Sequence, residues 1–275
     1  MEITPVRVID QQRAQLIIVG VGGTGGYVIG QVARLLYGLK VERGRNNVPR
    51  VLLIDGDEIE QKNLLRQQFL PQDIGKKKAS VLAERYSRAY GIDVAAYPSY
   101  ITYETRLEEL GAQRDNLIVV GCVDNGSTRL VLHNLLGKLR NVVYIDSGNS
   151  GVNMPQNPEH IDRYQLKKIK DSGWDGQVVA GVRVNGQTKL PFPGDVFPNL
   201  IEEDQLPTEV SCGEVVVSNP QRHMTNILAA TSVLMYLYTL LSDGTILNSR
   251  TMFDALRGYV SSHPAISMLH EVSIA

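Results

Sequence analysis

The chain has 275 residues, of which 43% are hydrophobic and 21% charged, enough to bury a core in one large α/β domain or two small ones. With 28 basic against 29 acidic side chains the net charge is near -1, which removes the electrostatic case for binding nucleic acid or a membrane surface. No stretch reaches the ~18 uninterrupted apolar residues of a membrane span, the polar N-terminus has no signal-peptide core, and Cys122 and Cys212 supply neither a disulfide framework nor a four-cysteine zinc site. We therefore expect a soluble protein of a reducing cytoplasm, with no nucleic-acid or membrane partner.

Residues 16–20, LIIVG, form a short apolar run ending in glycine and read as a buried parallel strand. The glycine-rich stretch 22–26 follows, then a segment with helical spacing through Val28, Val32, Leu35 and Leu36, for which Gly38 is the expected C-cap. Residues 40–49 read as a polar loop and 51–55, VLLID, as a second buried strand. NLLRQQF at 63–69 is a short helical piece, and 77–91 an amphipathic helix stopped by Gly91. Val94–Tyr97 is a third strand, 104–110 a short helix, 117–124 a fourth strand, 127–139 a helix and 142–148 a fifth strand. Strands alternating with helices argue an α/β, doubly wound, mostly parallel Rossmann-like sheet. Right-handed crossovers then bring the strand C-termini to one edge.

From about 150 to 218 glycine and proline are frequent and helical periodicity is weak. GQVVAGVRV at 176–184 is a candidate antiparallel strand, and the remainder reads as irregular: a functional insertion or crossover, or a surface elaboration. Trp174 and Tyr164 would either meet a partner or anchor this segment. Residues 221–242 form a helix apolar on most sides, hence buried, and 252–262 a last strand. We expect one domain over 1–275. Its nucleotide-binding half is 15–150, and 151–275 holds the insertion, crossover and carrier-binding half.

Four motifs carry chemistry. Gly20-Val21-Gly22-Gly23-Thr24-Gly25 lies between a strand and a helix. Such a turn lets backbone approach phosphates, and the helix start adds free N–H groups and a positive dipole end. By itself it suits a nicotinamide or flavin cofactor as well as ATP. Asp55 and Asp57 end the second strand, where a carboxylate can accept hydrogen bonds from ribose hydroxyls; Asp57 lies farther from Gly25 than the about 20 residues of the usual fingerprint, and the 40–49 loop accounts for the excess. Asn63, Arg66 and Gln67 come next, followed by Lys76, Lys77 and Lys78. Arg and Lys beside a nucleotide site can hold phosphates and stabilise a departing pyrophosphate. Finally Asp124 and Asn125, with Arg129, follow the fourth strand. Asp124 there would hold Mg²⁺ beside a triphosphate, or Asp124 or Ser127 would cap the next helix.

In this order the motifs resemble the ThiF-type adenylyltransferases, the ubiquitin-activating-enzyme-like family that includes the activators of the molybdopterin and thiamine sulfur carriers. The resemblance covers about 15–150 and resumes at Ser211-Cys212 and at Phe253-Asp254-Ala255-Leu256. Chain size and cysteine content also resemble the ThiF-family proteins of the bacterial PRTRC system. The resemblance implies that ATP and Mg²⁺ bind at Gly20, Gly22, Gly23, Thr24 and Gly25, with Asp55 and Asp57 toward the ribose. It implies further that Asn63, Arg66, Gln67 and Lys78 meet the phosphates, and that Asp124, with Asn125 beside it, holds the metal. The C-terminal carboxylate of a small ubiquitin-like or sulfur-carrier protein ending in glycine would be adenylated, with Arg66, Lys78 and Asp124 catalytic, and Cys212 a candidate thioester acceptor. A lone cysteine at such a place is otherwise a buried small residue, as Cys122 is expected to be. Many relatives carry Asp at the place of Gly121 and two Cys-x-x-Cys pairs; this chain has neither, so no structural zinc is expected. We expect a homodimer, with Arg7 or Arg13 as the candidate to enter the partner's site. The competing readings are a non-catalytic binder of a ubiquitin-like protein and a nicotinamide-dependent oxidoreductase. No Tyr-x-x-x-Lys stands near the fourth or fifth strand to serve the second.

Overall fold

The structure, a computed structural model, describes residues 6–8, 14–42, 48–106, 110, 116–155, 161–202 and 221–265. Cys212, Arg13 and the side chain of Arg7 lie outside them, as do 43–47 of the expected 40–49 loop. Strand β1 (Val6–Arg7) comes first, then β2 (Gln15–Val19), helix α1 (Gly23–Glu42) and β3 (Arg50–Ile54). Helix α2 (Lys78–Tyr90), β4 (Val94–Tyr97), β5 (Leu117–Gly121), α3 (Gly126–Leu136) and β6 (Val142–Asn149) complete the alternating half. The second half is α4 (Arg163–Asp171), β7 (Asp175–Val184), β8 (Gln187–Leu190), α5 (Pro193–Val196), α6 (His223–Asp243), β9 (Thr245–Ile246), β10 (Asn248–Asp254) and β11 (Tyr259–Pro264).

Among the described residues nine strands form one sheet, in the order β11-β10-β7-β6-β5-β2-β3-β4 with β8 beside β7, and β1 pairs separately with β9. The run β6-β5-β2-β3-β4 is parallel; β7, β10 and β11 add antiparallel strands at one side. Side-chain alternation builds two cores from one sequence run. Leu16 and Ile18 of β2, with Ile118 and Val120 of β5, face α1, α2 and α6, whereas Ile17, Val19, Leu117 and Val119 face α3 and Phe192. That is why the inner strands read as continuous apolar runs. The long α6 is, by length and composition, apolar enough to cross a membrane; here it packs against α1, β6 and β7.

Several sequence expectations need correction. Gly38 does not cap α1, which runs on to Glu42, so 40–42 are helical too. Buried Leu36 and Leu39 pin that last stretch to the core, and packing overrides the weak propensity of one glycine. Nothing lies within 4 Å of a Cβ built on Gly38. Gly38→Ala is therefore expected to stabilise the fold by about 0.5–1 kcal/mol, seen as a melting temperature about 2 °C higher; a fall in melting temperature would show that Gly38 is needed. The fourth strand ends at Gly121 rather than 124. No helix covers 104–110 among its described residues, and the 63–69 piece is a single tight turn over Gln61–Leu65. The expected last strand is a hairpin of two, turning at 255–258.

The segment read as irregular contains α4, a helix with no buried residue. Its ends are what hold it: Asp162 accepts from the Gln165 N–H, and Arg222 donates to the carbonyls of Ile169, Lys170 and Ser172. Arg222 also lies 4.1 Å from the centre of the Trp174 ring, whose indole N–H donates to Lys170 O. Trp174 thus anchors the segment, while Tyr164 is exposed.

Candidate functional site

The parallel strands wind outward in both directions from β2, so the crevice beyond the C-terminal ends of β2 and β5 is the switch point where such sheets bind ligands. The glycine turn occupies it. Gly20 has φ +80° and donates its N–H to Ile54 O. A Cβ on Gly25 would lie 1.9 Å from Gly20 O, one on Gly23 would lie 2.3 Å from Nδ2 of Asn226, and one on Gly22 3.3 Å from Nε2 of Gln67. Three different neighbours therefore explain three of the glycines.

Asp55 braces this turn from below. Its carboxylate accepts from Val21 N–H at 2.8 Å and from Asp57 N–H at 2.9 Å. Burial, followed by the charge of Asp57, raises its carboxyl above the ordinary range. Its oxygens are turned to backbone, whereas Asp57 presents a half-exposed carboxylate to the crevice. Oδ2 of Asp57 lies 2.7 Å from Nζ of Lys78, with side chains 47% and 6% exposed respectively. The Tyr100 hydroxyl donates to Oδ1, reaching it across Gly56, where any Cβ would lie 2.7 Å from the Tyr100 ring. Burial works against ionisation of Asp57, but the charge and hydrogen bond of Lys78 outweigh it and hold the carboxyl below the usual carboxylate range. Of the three lysines, Lys78 is the buried one; Lys76 is exposed, and Lys77 donates to Gly56 O and pairs with Glu58.

Asn63 is buried and organises its turn: its side-chain oxygen accepts from Glu60 N–H, and its carbonyl from the N–H groups of Arg66 and Gln67. Arg66 is partly exposed, and its side chain makes no hydrogen bond or ion pair with a described residue. Gln67 lies against Gly22, and its Oε1 has no partner among the described residues. From α2, Arg85 fixes this stretch by donating to Gln68 O at 2.6 Å and pairing with Asp73.

Past β5 the cap of α3 is Asn125, whose side chain accepts from Thr128 N–H at 2.8 Å, not Asp124 or Ser127. Asp124 is left exposed, with no hydrogen bond or ion pair to a described residue. Arg129 is buried and does not face the crevice as a free cation. Its Nε lies 3.1–3.2 Å from both oxygens of buried Asp146, and Nη2 donates to Val123 O. The space beside Gly121 holds this carboxylate: a Cβ there would meet Asp146 Oδ1 at 2.8 Å. Cys122 is half-buried against the core, and burial raises its thiol above the ordinary range, which disfavours the reactive thiolate. His223 is exposed at the start of α6, its ring edge-on to Tyr27. Among the described residues no three His, Cys, Asp or Glu side chains gather to hold a metal. Asp124, with phosphate oxygens, is the donor set that would suit Mg²⁺, which commonly takes only one or two carboxylates beside a nucleotide.

Gln67 thus meets the glycine turn and Lys78 meets Asp57, while Asn63 and Arg66 lie on the segment after β3 and Asp124 on the one after β5. Four contributors escaped sequence reasoning: Tyr100, Asp146, Asn149 and Asn226. Asn149 Nδ2 donates to Thr24 Oγ1 and to Asn226 Oδ1. A lone Asn in the first turn of an apolar helix was the available signal for Asn226.

Compared with known proteins, residues 8–266 match the model of the ThiF family. Among solved structures, that of selenomethionine PaaA has a TM-score of 0.60 at 15% identity, covering 94% of this chain and 66% of that one. E. coli MccB with ATP gives 0.59 at 17%, covering 93% and 64%; MccB with AMPCPP and MccA gives 0.58 at 18%, covering 93% and 64%. The chain spans a little under two thirds of the length of these structures. No curated protein matches.

Proposed function

The chain belongs to the ThiF family, and from that premise we propose that it uses ATP to adenylate the C-terminal carboxylate of a small ubiquitin-like or sulfur-carrier protein ending in glycine. The observation that carries the proposal is Lys78. A buried lysine held 2.7 Å from Asp57, on the same sheet edge as the glycine turn, suits a polyphosphate and its ribose. The solved MccB structures with ATP, and with AMPCPP and MccA, support a nucleotide in this fold.

In the proposed reaction the N–H groups of the glycine turn hold the α-phosphate and Asp57 accepts from the ribose. The substrate carboxylate, already ionised at neutral pH, attacks the α-phosphorus, so no general base is required. The bond to the β-phosphate oxygen breaks, giving acyl-adenylate and pyrophosphate. Lys78 and Arg66 stabilise charge on the departing pyrophosphate, with Asn63 and Gln67 shaping the wall that carries Arg66. Asp124 would hold Mg²⁺, which when bound supplies charge neutralisation to the phosphates. A later thioester on Cys212, formed as its thiolate displaces AMP, belongs to the same proposal. So do the carrier-binding role of 151–275 and a homodimeric active form. Exposed Tyr37 and Val41 on α1, with Met235 and Tyr238 on the adjoining α6, support the dimer. An Arg66 side chain without a described partner, together with buried Lys78, favours catalysis over passive binding of a carrier.

ATP–pyrophosphate exchange that depends on a candidate carrier protein tests the reading. Arg66→Ala is expected to slow exchange by about 10²-fold; exchange at the wild-type rate would remove Arg66 from the site. In the same assay Cys212→Ala should leave exchange intact and abolish a reducible carrier adduct, and an adduct that persists would refute the thioester.

A further inference from the structure

Three buried polar atoms around the glycine turn lack partners among the described residues: Oε1 of Gln67, Oδ1 of Asn149 and Nδ2 of Asn226. Unpaired buried polar atoms are costly and call for a reason. Asn226 is the most enclosed, with 0% of its surface exposed. Its Oδ1 accepts from Asn149 Nδ2 at 3.0 Å and lies 3.4 Å from Thr24 Oγ1, which accepts from the same Asn149 nitrogen at 2.9 Å. These side chains tie together the first turn of α1, the end of β6 and the first turn of α6. A Cβ built on Gly23 would lie 2.3 Å from Nδ2 of Asn226, so the amide fills the space beside Gly23 that a side chain would need. Two helix N-termini, each with a positive dipole end, meet at this contact.

We propose that Asn226 is a positioning residue for the α-phosphoryl group of a nucleoside triphosphate. It acts through Gly23 and Thr24, and it must be uncharged to do so. The amide fixes the peptide planes whose N–H groups face the crevice and adds no net charge. A carboxylate of the same shape would set a negative charge directly behind the phosphate-binding turn. The proposal rests on the adenylation reading only for the identity of the ligand.

Calorimetric titration of the full chain with ATP and Mg²⁺ tests this, alongside melting temperatures. Asn226→Asp preserves size and should fold. Its affinity relative to wild type is expected to fall at least tenfold at pH 8 and to recover toward pH 6, because a buried carboxyl takes up its proton above the ordinary range. Asn226→Leu should weaken ATP several-fold with no such pH dependence. A role in packing alone would lower melting temperature without that pH signature. Wild-type affinity in Asn226→Asp at pH 8, or in Asn226→Leu, would overturn the proposal. A wild-type chain that takes up no ATP would instead overturn the adenylation reading itself.

Discussion

Lys78→Met is expected to slow carrier-dependent pyrophosphate exchange by about 10³-fold, the upper end of what one charge-stabilising donor supplies. It is placed above Arg66 because it is buried, so its charge acts with less screening by solvent. The loss should have two sources. The phosphates lose a fixed cation, and Asp57 loses the partner that keeps it ionised beside Asp55. Stability should fall by about 1–2 kcal/mol, modest because Asp57 is half-exposed. The pH dependence has a definite sign. In the wild type the depressed carboxyl of Asp57 contributes stability that is present above about 3.8 and is lost only as pH falls through its lower folded value. Without Lys78, burial is opposed by the Tyr100 hydrogen bond and the charge of Lys77 alone, so Asp57 takes up a proton at higher pH than in the wild type. The gap in melting temperature between variant and wild type should therefore be widest near pH 8 and narrow toward pH 4. A gap that widens on acidification, or exchange within tenfold of wild type, would show that the ion pair is not central.

Gly25→Ala should cost about 3 kcal/mol or more and lower the melting temperature by about 10 °C. The added methyl would overlap a backbone carbonyl, Gly20 O, at 1.9 Å. That carbonyl belongs to the turn after β2, whose residue Gly20 is itself tied by its N–H to Ile54 O, so it has little room to retreat. Either α1 lifts off the sheet or the turn deforms, and nucleotide uptake falls with it. Circular dichroism melts would decide: a variant within 2 °C of wild type, or one that binds ATP unchanged, contradicts the close packing described here. Gly22→Ala is the contrasting change, because its nearest neighbour is the movable end of Gln67.

The parallel half was legible because its signals are local. LIIVG, VLLID and LIVVG are apolar runs bounded by glycine or aspartate, and the turn glycines announce strand-to-helix geometry. Where long-range forces decide, the sequence was silent or misleading. Gly38 has the look of a stop signal, but Leu36 and Leu39 keep the helix going. RYQLKKIKD lacks an apolar stripe, and the helix depends on Arg222, far along the chain. At the site, Asp57, Lys78, Arg66 and Asp124 follow from motif order; Asp57 and Lys78 form a pair, and Arg66 and Asp124 lie on the segments after β3 and β5. Asp146 and Tyr100 carry no motif: their roles come from a neighbouring strand and from the room left at Gly121 and Gly56. Spacing groups Arg129 with Asp124, but Asp146 holds it inside.

That interior pair has a consequence for ligand capture. The segment joining β5 to α3 is secured by Arg129 through Val123 and capped by Asn125, so its ordering entropy is spent when the chain folds. Little freedom remains for an incoming nucleotide to extinguish there, and more of the contact energy is left to appear as affinity.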